Sequence, residues 1–134
     1  MRRCIALTGA PGTGKSTLLD RLCAIEGAAP PPASVPTEPR IAELPFLGET
    51  WTAIDCPGSI EFLQDSIDAL LVADAAVICV PPDPEAAVLS APYLRAVEAA
   101  GTPCFLFINQ IDTAKGRVRD IVAAKVPVQP WRVM

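Results

Sequence analysis

The sequence predicts an α/β fold built on a mostly parallel sheet. Short apolar runs bounded by glycine or proline alternate with stretches of helical period. A glycine-rich stretch separates the first apolar run from the first helical one. The length of 134 residues suits one domain with one core. Apolar residues at 51% against 19% charged exclude wholesale disorder.

The elements follow in order. Residues 4–8 read as a buried strand; Arg2 and Arg3 precede an apolar run too short for a signal peptide. A helix is expected at 16–25 with Leu18, Leu22 and Ile25 on its apolar stripe, closed by Gly27. Five prolines within residues 28–40 exclude helix and central strand, leaving a loop. Residues 41–46 and 50–55 read as a hairpin, with Pro45 placing the first strand at the sheet edge. A second helix is expected at 59–73 on a stripe of Ile60, Leu63, Ile67 and Leu70. A strand at 75–80 leads into a rigid loop, Pro81-Pro82-Asp83-Pro84. Ser90 is the expected cap of a third helix, with Pro92 in its first turn and Gly101 past its end. A strand at 105–108 and a short helix at 116–124 complete the series. Right-handed crossovers then give helices on both faces of the sheet and one antiparallel edge hairpin. One domain is expected over residues 1–125, with 126–134 an unassigned tail.

Composition narrows the chemistry. The 11 basic and 15 acidic residues give a net charge of −4. No basic stretch resembles a nucleic-acid motif or a polybasic membrane patch. The chain has no histidine, which removes a Ser-His-Asp triad, a His-ligated metal and a histidine base. Cys4, Cys23, Cys56, Cys79 and Cys104 are odd in number and form no CxxC pair, which suits a reducing, cytoplasmic setting. The apolar runs fall short of the roughly 20 residues that span a bilayer.

Gly9-Ala10-Pro11-Gly12-Thr13-Gly14-Lys15-Ser16 fits the phosphate-cradling pattern G-x-x-x-x-G-K-[ST], between a strand and a helix. The glycines let successive N–H groups point at phosphate oxygens, and the helix start adds its dipole. Lys15 is expected at the β- and γ-phosphates, the Ser16 hydroxyl on Mg²⁺, and Thr17 at a further phosphate. This motif does not choose the base. In Asp55-Cys56-Pro57-Gly58 a carboxylate ends a strand where it can hold Mg²⁺ through a water. Gly58 can offer its N–H to a γ-phosphate and hinge when that phosphate leaves. Asn109-Gln110-Ile111-Asp112 ends an apolar strand. Asp112 can accept from guanine N1–H and the exocyclic amine, a donor pair adenine lacks. Asn109 braces that loop.

With these three motifs in place, the chain resembles the GTPase domain of translation factors, a P-loop NTPase fold. It is most similar to elongation factor G and its elongation-factor-G-like paralogues, from Cys4 to about Ala124. The resemblance implies GTP/GDP and Mg²⁺ as ligands, and the ribosome as the partner of full-length relatives. It makes the proline-rich loop a switch segment, with Thr37, 18 residues before Asp55, as a Mg²⁺-binding threonine. Four departures stand out. Ser59 occupies the position of the family's water-orienting histidine, so slow hydrolysis is expected. Gln110 replaces a lysine that packs on base and ribose. The switch loop is short. The chain ends near the point where a Ser-Ala motif supports guanine, so a fragment or truncated gene product is expected. Two alternatives stay open: a small P-loop ATPase or kinase, with Arg117 and Arg119 as lid arginines, and a non-hydrolysing nucleotide switch.

Overall fold

The structure is a computed structural model and describes residues 2–32, 38–59, 61, 63–114 and 117–125. Thr37, Ile60, Gly116 and the tail at 126–134 therefore lie outside the described residues.

The chain runs β1 (Arg2–Thr8), α1 (Lys15–Ile25), β2 (Arg40–Phe46), β3 (Glu49–Asp55), α2 (Leu63–Val72), β4 (Ala75–Val80), α3 (Pro84–Ala87), α4 (Ala91–Ala100), β5 (Cys104–Ile108) and α5 (Val118–Lys125). The five strands form one sheet in the order β2-β3-β1-β4-β5. β1 pairs in parallel with β3 and β4, and β4 in parallel with β5. β2 is antiparallel to β3 and lies at the edge, where Pro45 is tolerated. The strand order reverses at β1, so the crevice beyond its carboxyl end is the place where open α/β sheets bind ligands.

Helices cover both faces. α1 closes one core of Leu7, Leu19, Cys23, Ala42, Leu44 and Ala53. On the other face Leu70, Leu94, Val97 and Ile121, contributed by α2, α4 and α5, pack on Ala6, Ala76, Ile78 and Val80. Each buried aliphatic side chain contributes about 1.5–3 kcal/mol over exposure.

The expected elements recur with four corrections. In α1 the buried stripe is Lys15, Leu19 and Cys23; Leu18 and Leu22 sit at its margins, and Ile25 is 76% exposed. The glycine loop turns Lys15 inward, and positions four and eight residues on must follow it. In α2 the buried positions are Ser66, Ala69 and Leu70, with Leu63 and Ile67 half-buried. Ser90 does not cap α4: it has helical backbone angles and makes no capping bond. The helical path instead starts at α3, where the Asp83 carboxylate accepts from Glu85 N–H at 3.0 Å and Pro84 fits the first turn. The hairpin turn is Leu47-Gly48, both with positive φ of 50° and 78°, one residue tighter than the sequence suggests.

Candidate nucleotide-binding site

The three motifs meet at the carboxyl ends of β1, β3 and β5. After β1 the chain passes through Gly9, Gly12 and Gly14 at φ of 139°, 76° and 83°. Gly9 has a steric reason as well: a Cβ there would collide with the Cys79 carbonyl oxygen of β4. The loop is held from within. Thr13 Oγ1 donates to the Ala10 carbonyl at 2.8 Å, and Lys15 Nζ donates to the same oxygen at 3.1 Å. Pro11 is exposed at the rim. Gly12, Gly14, Lys15, Ser16 and Thr17 line a cavity of 240 Å³.

Asp55 and Ser16 come together across this cradle. Ser16 Oγ donates to Asp55 Oδ2 at 2.7 Å, while Asp55 Oδ1 is buried without a hydrogen-bond partner. Burial pushes the Asp55 carboxyl up, against the Ser16 hydrogen bond and the charges of Lys15 and Arg40, which pull it down. A hydroxyl and a carboxylate with a spare buried oxygen are hard donors of the kind Mg²⁺ takes when phosphates and waters complete its shell. Among the described residues no cluster of three His, Cys, Asp or Glu side chains is built to hold a metal unaided. The residues present therefore fit a phosphate-assisted Mg²⁺ and not an all-protein cage.

Gly58 lies against the glycine loop. A Cβ on it would fall 2.7 Å from Lys15 Nζ and 3.0 Å from Pro11 Cα. Its carbonyl accepts from the Tyr93 hydroxyl at 2.5 Å, which ties the loop after β3 to α4. Ser59 follows, half-buried, with its hydroxyl accepting from Glu61 N–H at 3.4 Å. Gln64, a second candidate to orient water, donates to Asp68 along the exposed side of α2.

Asn109 joins the loop after β5 to the glycine loop. Its amide donates to the Thr13 carbonyl at 2.9 Å, and its Oδ1 accepts from Gln110 N–H. A Cβ on Gly14 would collide with that same amide. Gln110 adopts φ 55° and extends Nε2 to within 3.5 Å of the Gly12 carbonyl, so it leans on the glycine loop. Asp112 is exposed in the 3₁₀ turn Ile111–Thr113. Arg117 and Arg119 are exposed, and Arg119 is 3.8 Å from Asp120.

Against this geometry, the sequence profile described as "Elongation factor Tu GTP binding domain" matches residues 40–127, most of the chain. The chain belongs to that family. The match includes Asp55, Gly58, Asn109 and Asp112; the glycine loop lies outside it. An elongation factor G-like protein of Synechocystis sp. is 27% identical over 91% of this chain. A crystal structure from Thermus thermophilus superposes with a TM-score of 0.75 at 26% identity over 90% of the chain. Translation elongation factor SelB of Methanococcus maripaludis, solved with the GTP analogue GppNHp, superposes at 0.72 over 91% of the chain; at 17% identity it shows the fold alone. The chain spans about a fifth to a quarter of these relatives: 21% of the first two and 24% of SelB. Among the described residues no helix is long and apolar enough to cross a membrane.

Two residues of the GTP-binding domain's site escaped the sequence reading, Tyr93 and Arg40. Tyr93 sits on a helix with no motif around it. Arg40 is legible through strand register, since a two-residue turn at Leu47-Gly48 sets it directly across from Asp55.

Lys15 is 7% exposed. Burial lowers its pKa, and the Asp55 carboxylate pulls it back up. A lysine with a lowered folded-state pKa costs stability below that pKa, and the cost vanishes as pH rises past the unfolded value. Lys15→Met should therefore raise the melting temperature of nucleotide-free protein at neutral pH, by a few degrees for each kcal/mol of that cost. The gain should shrink toward pH 10.5, and nucleotide binding should be lost. Thermal scans across pH check the first effect and titration calorimetry the second.

Proposed function

We propose that this chain is the guanine-nucleotide-binding domain of an elongation-factor-G-like translational GTPase. It binds GTP and GDP with Mg²⁺, acts in the cytoplasm, and works with the ribosome as part of a longer protein. The observation that carries the reading is the Ser16–Asp55 pair at 2.7 Å beside Lys15, with Asn109 tied to the same glycine loop. Residues 9–17 receive the phosphates, Gly58 faces the γ-phosphate, and Asp112 takes the guanine edge. Ser16 and Asp55, with Thr37 by family resemblance, hold Mg²⁺, which when bound spreads the negative charge of the phosphates.

Hydrolysis, in this reading, is slow. Ser59 offers only a short hydroxyl, which accepts from its own turn, Gln64 donates to Asp68, and the chain has no histidine. This supports a domain that binds GTP and turns it over slowly.

The test is competition of GTP, GDP and ATP for a fluorescent guanine nucleotide, with Mg²⁺ and with chelator. GTP and GDP should compete well ahead of ATP; equal competition by ATP would overturn the guanine reading in favour of an ATPase or kinase. Ser16→Ala should weaken binding by about 10-fold or more with Mg²⁺, and the difference should shrink in chelator. An equal loss in both conditions would remove Ser16 from the metal.

A further inference from the structure

Arg40 opens β2 and stands across from Asp55 in the antiparallel register. Its side chain is only 11% exposed. Nη2 donates to Asp20 Oδ1 at 2.7 Å and to the Pro31 carbonyl at 3.1 Å. Nη1 stands 3.8 Å from Asp55 Oδ2, the oxygen that also accepts from Ser16. Two atoms in this cluster are buried with no hydrogen-bond partner: Arg40 Nε and Asp55 Oδ1.

An arginine facing a carboxylate normally closes a two-pronged hydrogen-bonded fork. Here it does not. Asp20 on α1 and the Pro31 carbonyl hold the guanidinium back, so Asp55 keeps one oxygen without a partner and the other on Ser16. The cation is near enough to offset the charge of Asp55, yet it does not consume the oxygens a metal would take. Two cations at one carboxylate repel each other, and strongly so away from bulk water.

We infer that Arg40 is a positioning residue for the metal site: beside Lys15 it is a second counter-cation of Asp55 in the nucleotide-free protein, and it keeps the affinity of the Ser16–Asp55 pair for a divalent cation low until phosphate charge arrives. The inference rests on the Mg²⁺–guanine-nucleotide reading of the site. Asp20 acts in the opposite direction, by drawing the guanidinium away from Asp55. Metal binding is thereby coupled to nucleotide binding, because the phosphates supply the negative charge that outweighs Arg40.

The experiment titrates Mg²⁺ into protein with fluorescent GDP and reads the Mg²⁺ concentration that gives half of the metal-dependent gain in affinity. Affinity in chelator is measured beside it. Arg40→Gln should lower the Mg²⁺ midpoint roughly tenfold, the change that relief of one nearby positive charge gives. Affinity in chelator should stay near wild type. Arg40→Lys keeps the charge and should keep the midpoint. Asp20 is 49% exposed, so Asp20→Asn should fold normally, and it should raise the midpoint severalfold. An unchanged midpoint in Arg40→Gln, an equal change with and without metal, or a lowered midpoint in Asp20→Asn would each overturn the inference. Should Arg40→Gln fail to fold, the Asp20→Asn direction decides alone. Absence of guanine-nucleotide binding by wild type at every Mg²⁺ concentration would instead overturn the nucleotide reading, and the inference with it.

Discussion

Ser59→His is expected to accelerate single-turnover GTP hydrolysis by about 10²–10⁴-fold, the usual contribution of a group that orients water or handles its proton. Phosphoryl transfer depends on position and charge more than on covalent chemistry, so a missing water-orienting group costs rate and leaves binding intact. The chain contains no histidine. Ser59 accepts a hydrogen bond from its own turn, and Gln64 donates to Asp68. Position 59 follows Gly58 directly, and Gly58 already lies against Lys15 and Pro11. A longer imidazole at 59 starts beside the cradle and extends a donor that serine cannot reach. Rapid quench of GTP-loaded protein measures the step. Fast wild-type hydrolysis that the histidine leaves unchanged or slows would mean that another group positions the water.

Asp112→Asn is expected to convert a guanine site into a xanthine site. In the proposed function the carboxylate accepts two hydrogen bonds from guanine. Charge-assisted bonds of about 1.5–3 kcal/mol each imply that GTP affinity falls roughly 10²–10⁴-fold. Xanthine carries an oxygen where guanine has its amine, so the asparagine amide finds an acceptor and XTP gains what GTP loses. Asp112 is exposed in a 3₁₀ turn, so the change should leave folding alone. Parallel titrations with GTP, XTP and ATP check it. Undiminished GTP affinity would place the base elsewhere.

Most of the fold was legible because each strand is a short apolar run with a strong breaker on either side. The glycine loop, Asp55 and the Asn109–Asp112 stretch stood out as a candidate site because phosphate, metal and guanine each demand a residue type at a set spacing, and the structure brings all three to one end of the sheet. What sequence reading missed has a common physical origin in register and helix phase. Taking the hairpin turn as three residues instead of Leu47-Gly48 slips the pairing by one and sets Ile41, not Arg40, across from Asp55; such a slip exchanges the two faces of a strand. In α1 the apolar spacing of Leu18, Leu22 and Ile25 was real, yet the inward turn of Lys15 rotated the helix so that Leu19 and Cys23 became the core positions. At Asp83 the proline cluster hid a helix start, because proline both breaks helices and opens them. Thiol chemistry was also beyond composition. Burial raises Cys56 to about 12 and Cys79 to about 11, so these two cysteines beside the site are poor nucleophiles at neutral pH.

The contact between Tyr93 and the Gly58 carbonyl has a spectroscopic consequence. Tyr93 is the only tyrosine in the chain. A ring label introduced through tyrosine therefore gives one set of resonances, with no assignment to make. That ring is bonded to the peptide that faces the γ-phosphate in the proposed function. If Gly58 turns toward a γ-phosphate, its carbonyl must turn with it, and the phenol loses or changes its acceptor. One tyrosine signal then distinguishes the diphosphate-bound from the triphosphate-bound domain, in a chain small enough to be followed in real time by solution NMR.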